Sequence, residues 1–232
     1  MKTGVILIQV LCIGCFLAIS TPSGADQTDQ GTGNLSSDSG PQAALARLPD
    51  MDLKQAFKEL RNKHFVVNES LMNEAAVTAF GHRKREAIEL ACQYIRLPIV
   101  ENVEGKVFSR SEEFRIAKSV LQAFPDAALK RLWGLYFSTQ DAVTRGNIVL
   151  ALGGMQDDPR MGALLLEALD DKAFYGGYDP EAEGDPLRVC DLAYNQITAH
   201  YEIKDVLRTI GNVYAVHVRD DHINHLKKLI SD

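Results

Sequence analysis

The sequence predicts an all-α protein, and three observations carry that prediction. Apolar residues recur at helical spacing from about residue 50 onward. Residues that start helices (Ser, Asp and Pro) stand just ahead of those runs. Alternating strand patterns are nearly absent over the same stretch.

The first forty-odd residues stand apart from this pattern. Lys2 followed by the apolar stretch Gly4–Ile19, broken only by Gln9, reads as a secretory signal. Ser23, Gly24 and Ala25 supply the small residues of a cleavage site before Asp26. The run is shorter than the ~20 apolar residues a membrane-spanning helix needs. Leu11-Cys12-Ile13-Gly14-Cys15 resembles a bacterial lipobox, departing from it at Cys12, so membrane attachment is expected only if Cys15 is lipidated. Residues 26–44 are dominated by small and polar residues, with Leu35 the only large hydrophobe, and are expected to form a flexible linker.

The helices then follow in order. Leu53-Phe57-Leu60 and Leu71-Ala75-Ala79 form apolar stripes and predict helices over 53–63 and 69–80. Ala87-Ile88-Ala91-Cys92-Ile95 predicts 83–96, whereas residues 98–110 hold no plausible helix. Ser109 with Glu112 has the spacing of a capping box ahead of Phe114-Ala117-Leu121, predicting 111–123. Pro125, Pro159 and Pro186 suit first-turn positions, the last two behind Asp158 and Asp185 as N-caps. These signals predict helices over 126–137, 141–153, 159–170 and 186–200. Shorter patterns predict 202–210 and 219–230.

A repeat is visible in the second half. Arg145-Gly-Asn-Ile148-Val-Leu-Ala151-Leu152-Gly153, followed by Asp157-Asp158-Pro159, resembles the second helix and turn of a HEAT repeat. Arg188 and Arg219 begin similar helices, 31 residues apart, and Arg145 lies 43 residues before Arg188. The resemblance covers about residues 111–230 and implies a short α-solenoid of HEAT-like hairpins, with one helix of each pair lining an extended binding surface. The expected organisation is a signal peptide (1–25), a linker (26–44), a helical N-terminal part (45–110) and HEAT-like repeats (111–232).

Composition narrows the function classes. The 31 Asp and Glu against 25 Lys and Arg give a net charge of −6 and a pI near 5.5. That balance disfavours nucleic-acid binding, which needs a basic face. Cleavage after Ala25 would leave only Cys92 and Cys190, both on apolar helix faces, so buried thiols rather than a disulfide framework are expected. No Gly-x-Ser-x-Gly, Walker loop or His-Glu-x-x-His is present, and no catalytic residue or cofactor is expected.

The candidate binding residues cluster in two places. The loop 171–185 is long, with three aromatics (Phe174, Tyr175, Tyr178) and five acids, Asp179 among them. Loops of this kind often carry binding, and Tyr is a frequent interface anchor. The rival reading is an ordered insertion in which Phe174 and Tyr175 cover a hairpin end. Along the expected concave face, Arg145, Asn147, Arg188, Asp191 and Asn195 are candidates beside Arg115 and Lys118. For Arg188 and Asp191, three residues apart, the rival is an ion pair that orients neighbouring repeats. Asp179, Glu181 and Glu183 partly resemble a calcium loop, and His217, His222 and His225 could approach a metal site, but neither pattern is complete. The expected function is an exported, non-enzymatic scaffold for a protein or peptide partner. The alternatives are an accessory or enzyme such as the HEAT-like phycobilin lyases, which the chain resembles only in its repeat, and a structural spacer of the envelope.

Overall fold

A computed structural model of the protein describes residues 41–232 apart from 62–64, 66–68, 104–105, 154, 156–157, 177–183, 202 and 232. The expected signal peptide, Cys15 and linker residues 26–40 lie outside the described residues, as do Tyr178, Asp179, Glu181 and Glu183 of the long loop. Among the described residues there are ten α-helices and one two-stranded hairpin.

The helical region begins earlier than expected. Helix α1 spans Pro41–Arg47 and runs into a 3-10 turn, Leu48–Asp50, so the last four residues assigned to the linker are helical. Ala44, Leu45 and Leu48 form an apolar stripe that is buried against the core, which offsets the ordering entropy a free tether would keep. Helix α2 (Leu53–Glu59) starts at Asp52, whose carboxylate accepts the Gln55 N–H at 2.9 Å. Helices α3 (Glu69–Phe80) and α4 (Lys84–Ile95) fall within a residue of their predicted places.

Residues 98–110 contain an antiparallel pair, β1 (Val100–Val103) and β2 (Lys106–Ser109), with Val100 opposite Ser109 and Val103 opposite Lys106. Its Val-rich strands suit extended backbone, although four residues each are too few to show a clear alternation. Ser109 therefore ends a strand and does not cap Glu112. Its hydroxyl accepts the Ser111 N–H at 3.4 Å, and α5 spans Ser111–Ala123 from Arg110.

Helices α6 (Pro125–Ser138), α7 (Ala142–Leu152) and α8 (Pro159–Ala168) follow, the last two capped by Asp141 and Asp158. Helix α9 spans Val189–His200, three residues later than its proline suggested. Asp185 does serve a helix start, but that of α10 (Val216–Ser231), where it accepts the Val216 N–H at 3.3 Å.

The helix expected at 202–210 is not formed. Side chains of α9 take up the backbone groups that a helix would have paired internally. Asn195 donates to the Ile210 carbonyl (2.9 Å) and accepts its N–H (2.8 Å). Thr198 donates to the Arg208 carbonyl (2.6 Å), and the Tyr194 hydroxyl to that of Leu207 (2.8 Å). Such side-chain bonds compete directly with helix formation.

The helices form two sets. Helices α3, α5, α7 and α9 pack successively against one another, as do α4, α6 and α8, and consecutive helices from α4 to α10 also touch. Helix α7 lies where these contacts converge, and none of its eleven residues is exposed. A helix apolar on nearly every side belongs in an interior.

Replacing Asn195 by Ala strands the N–H and carbonyl of the buried Ile210. We expect a loss of about 1–3 kcal/mol in urea unfolding and faster hydrogen exchange at Ile210, with exchange in α7 unchanged.

Candidate functional site

The buried helix α7 carries three polar side chains, and each is answered by a neighbour. Asp141 accepts the Thr144 hydroxyl at 2.5 Å as well as the Thr144 N–H. Arg145 grips Asp171, the first residue of the long loop, through Nε (2.5 Å) and Nη2 (3.3 Å). The fully buried Asn147 donates to the Ile95 and Leu97 carbonyls, both at 2.8 Å, and accepts the Tyr175 hydroxyl at 2.6 Å.

Of the sequence candidates, Asn147 and Tyr175 are thus bonded to each other in the interior, and Arg145 is tied to Asp171. Tyr175 lies against Gly146, where any Cβ would fall 2.3 Å from its ring. Burial pushes its phenol up to about 12, so it stays protonated and donates to Asn147. Asp171 also accepts the Tyr136 hydroxyl (3.1 Å) and the Ala173 N–H (3.1 Å). The Tyr175 N–H bonds the Leu187 carbonyl and the Val189 N–H bonds that of Ala173, which closes the base of the loop. Its far end comes against Asn212 at Gly184, whose φ of +104° is open to glycine and rarely to other residues.

Arg188 and Asp191 form the ion pair that their three-residue spacing offered as the rival to an exposed binding role. Asp191 accepts the Arg188 backbone N–H and two of its guanidinium hydrogens (2.9–3.2 Å), then receives Arg219 from α10. Arg188 also reaches Asp220 at 2.8 Å. Arg188, Asp191 and Arg219 are all buried, so the expectation that Arg188 and Asp191 lie exposed on a binding face is corrected. Asn147 is corrected likewise. Ordering of neighbouring helices is what these residues perform, because charges removed from water need paired, hydrogen-bonded partners. Burial would raise the Asp220 carboxyl, but Arg188 and Lys172 outweigh it and hold it below its usual range.

Other candidates stay apart. Asn195 pins Ile210, and the His225 ring nitrogen lies 3.2 Å from the Asp205 carbonyl. Among the described residues, no three of His, Cys, Asp and Glu assemble as metal ligands. Cys92 and Cys190 are free and buried, and burial pushes their thiols up to about 11 and about 12. No described helix is long and apolar enough to cross a membrane.

Three aromatic side chains remain accessible near the base of the loop. Phe174 is 57% exposed beside the buried Tyr175. On α6, Trp133 and Phe137 are 38% and 53% exposed, with ring centroids 5.3 Å apart, and Phe137 also meets Tyr136, whose hydroxyl holds the loop base. Sequence reasoning missed this pair, although their spacing of four residues places them on one helix face. Comparison with known proteins finds no matching family model, no similar curated protein and no similar solved structure.

Two outcomes test this architecture. Gly146→Ala should cost about 1–3 kcal/mol in chemical unfolding, and much less when Tyr175 is first replaced by Ala, because the clash is with that ring. A depressed native pKa for Asp220 adds stability above the unfolded carboxyl value of about 4, which is lost as pH falls through the lower native value. Thermal melts from pH 6 to 2 should therefore show Asp220→Asn less stable than wild type at pH 6, with the gap closing below about pH 4.

Proposed function

We propose that the protein is an exported, non-enzymatic scaffold that binds a protein or peptide partner, built as a short α-solenoid of HEAT-like hairpins. The next-but-one packing of α3, α5, α7 and α9, with α4, α6 and α8 beside them, supports the solenoid. So do the Arg–Asp bonds that tie α7 to the loop before α9, and α9 to α10. Export rests on the apolar run Gly4–Ile19 and the small residues before Asp26. In this reading the membrane is engaged only through lipidation at Cys15.

The observation that carries the binding role is the exposure of Trp133, Phe137 and Phe174 around the firmly bonded base of the long loop. Exposed aromatics on rigid elements serve as binding anchors, since little conformational entropy is lost when they dock. Tyr175 sits on α7 and takes up Asn147, one of the residues expected on a concave surface. Binding is therefore assigned to the loop and the outer side of α6.

A photo-crosslinking residue at position 137 or 174, introduced in the native host, should capture one discrete partner, while the same probe at the exposed Lys204 captures none. Trp133→Ser with Phe137→Ser and Phe174→Ser should weaken that complex at least about thirtyfold, the effect of losing one good anchor. Equal capture from all positions, or an unchanged complex with the triple variant, would count against the scaffold reading.

A further inference from the structure

We propose that α6 and α8 form the interface of a symmetric dimer, so that the partner of the exposed aromatic face is a second copy of this chain. The proposal rests on the assignment of binding to Trp133 and Phe137, and it names the partner. Helices α6 and α8 touch, and two bonds show them parallel and nearly level. Asp126 in the first turn of α6 accepts Arg160 in the first turn of α8 at 2.6 Å. Tyr136 near the end of α6 reaches Asp171, just beyond α8, at 3.1 Å.

The solvent-facing residues of the two helices occupy equivalent positions 33 residues apart, and their sizes are opposed. Ala127 corresponds to Arg160, Lys130 to Ala163 and Gly134 to Glu167, and all six are exposed. A Cβ at Gly134 would meet nothing within 4 Å, so the outer side of α6 is notched there. Between these positions Trp133 corresponds to Leu166, which is 43% exposed, and the two form the apolar centre of the face. Phe137 corresponds to Asp170, whose charge Lys227 answers within the fold. The remaining charges are opposed too: Lys130 on α6 and Glu167 on α8 have no ion-pair partner among the described residues.

Opposed sizes and opposed charges on two parallel helices make the surface complementary to itself. A two-fold axis between the helices, and parallel to them, sets α6 of each copy on α8 of the other. Trp133 then packs on the partner's Leu166, and the partner's Glu167 enters the notch at Gly134. Lys130 lies over the partner's Ala163, one turn from the partner's Glu167, a distance its four-carbon stem spans. That contact forms twice, beside an apolar centre, as interfaces are generally built. An unrelated partner would have to supply this alternation of size and charge, and a second copy carries it already. The two helices present about 400 Å² against the ~800 Å² per partner of a standard interface, so the association is reversible and concentration-dependent.

The test is sedimentation equilibrium of the full chain purified from its native host, loaded from about 10 μM to about 1 mM. The mass should rise from monomer to dimer across that range. Lys130→Glu and Glu167→Lys, each alone, should raise the dimer Kd at least about tenfold with melting temperature unchanged. An equimolar mixture of the two variants should recover wild-type association, because the mixed dimer restores an opposite-charge contact at both places. Gly134→Leu, which fills the notch without meeting the rest of the chain, should weaken the dimer as well. A chain that stays monomeric, single variants that dimerise like wild type, or a mixture that does not recover would each overturn the proposal. Capture of a different protein by the probe at position 137 would then leave the scaffold reading standing, whereas no capture at all would remove both.

Discussion

The structure depends on the need to satisfy polar groups inside a helix that has no exposed residue. An unpaired amide there would cost about as much as several good packing contacts contribute. Asn147 therefore draws three separate segments to one point: the end of α4 through Ile95 and Leu97, α7 itself, and the long loop through Tyr175. Arg145 does the same with Asp171, and Asp171 with Tyr136 of α6. Apolar packing alone would bring these elements together without choosing one register, whereas directional bonds admit few arrangements.

The same logic recurs at the C-terminal end. Arg188, Asp191, Arg219 and Asp220 form a chain of alternating charge in which each guanidinium meets a carboxylate on the neighbouring helix. Such a cluster need not add stability over an apolar one of equal volume, since desolvation opposes the Coulombic gain. Its effect is to set how α10 lies on α9, because loss of Asp191 would leave the buried Arg219 without a carboxylate.

These internal uses of charge take those residues away from the solvent-facing surface. Asn147, Arg188 and Asp191, which in sequence resemble part of a concave recognition face, are taken up by the fold, and among the described loop residues Tyr175 enters the core while Phe174 faces solvent. Exposed aromatic surface then lies in the Trp133–Phe137 face and in Phe174. Both offer apolar side chains beside the bonded base of the loop.

Most of the helical character was legible in the sequence, because periodicity and capping are local. The Pro159 helix with its Asp158 cap and the buried thiols follow from residue spacing alone. The ion pair between Arg188 and Asp191 was visible as one of two readings, and their three-residue spacing could not choose between them. Only the tertiary structure decided that Asn195 and Thr198 would suppress a helix at 202–210, that Asp185 would cap α10, and that Tyr175 would lie on Gly146. Each of those outcomes turns on a contact between residues ten or more apart in the chain. Local propensity is worth a few tenths of a kcal/mol per residue, and a buried hydrogen bond left unmade costs more, so the distant partner prevails.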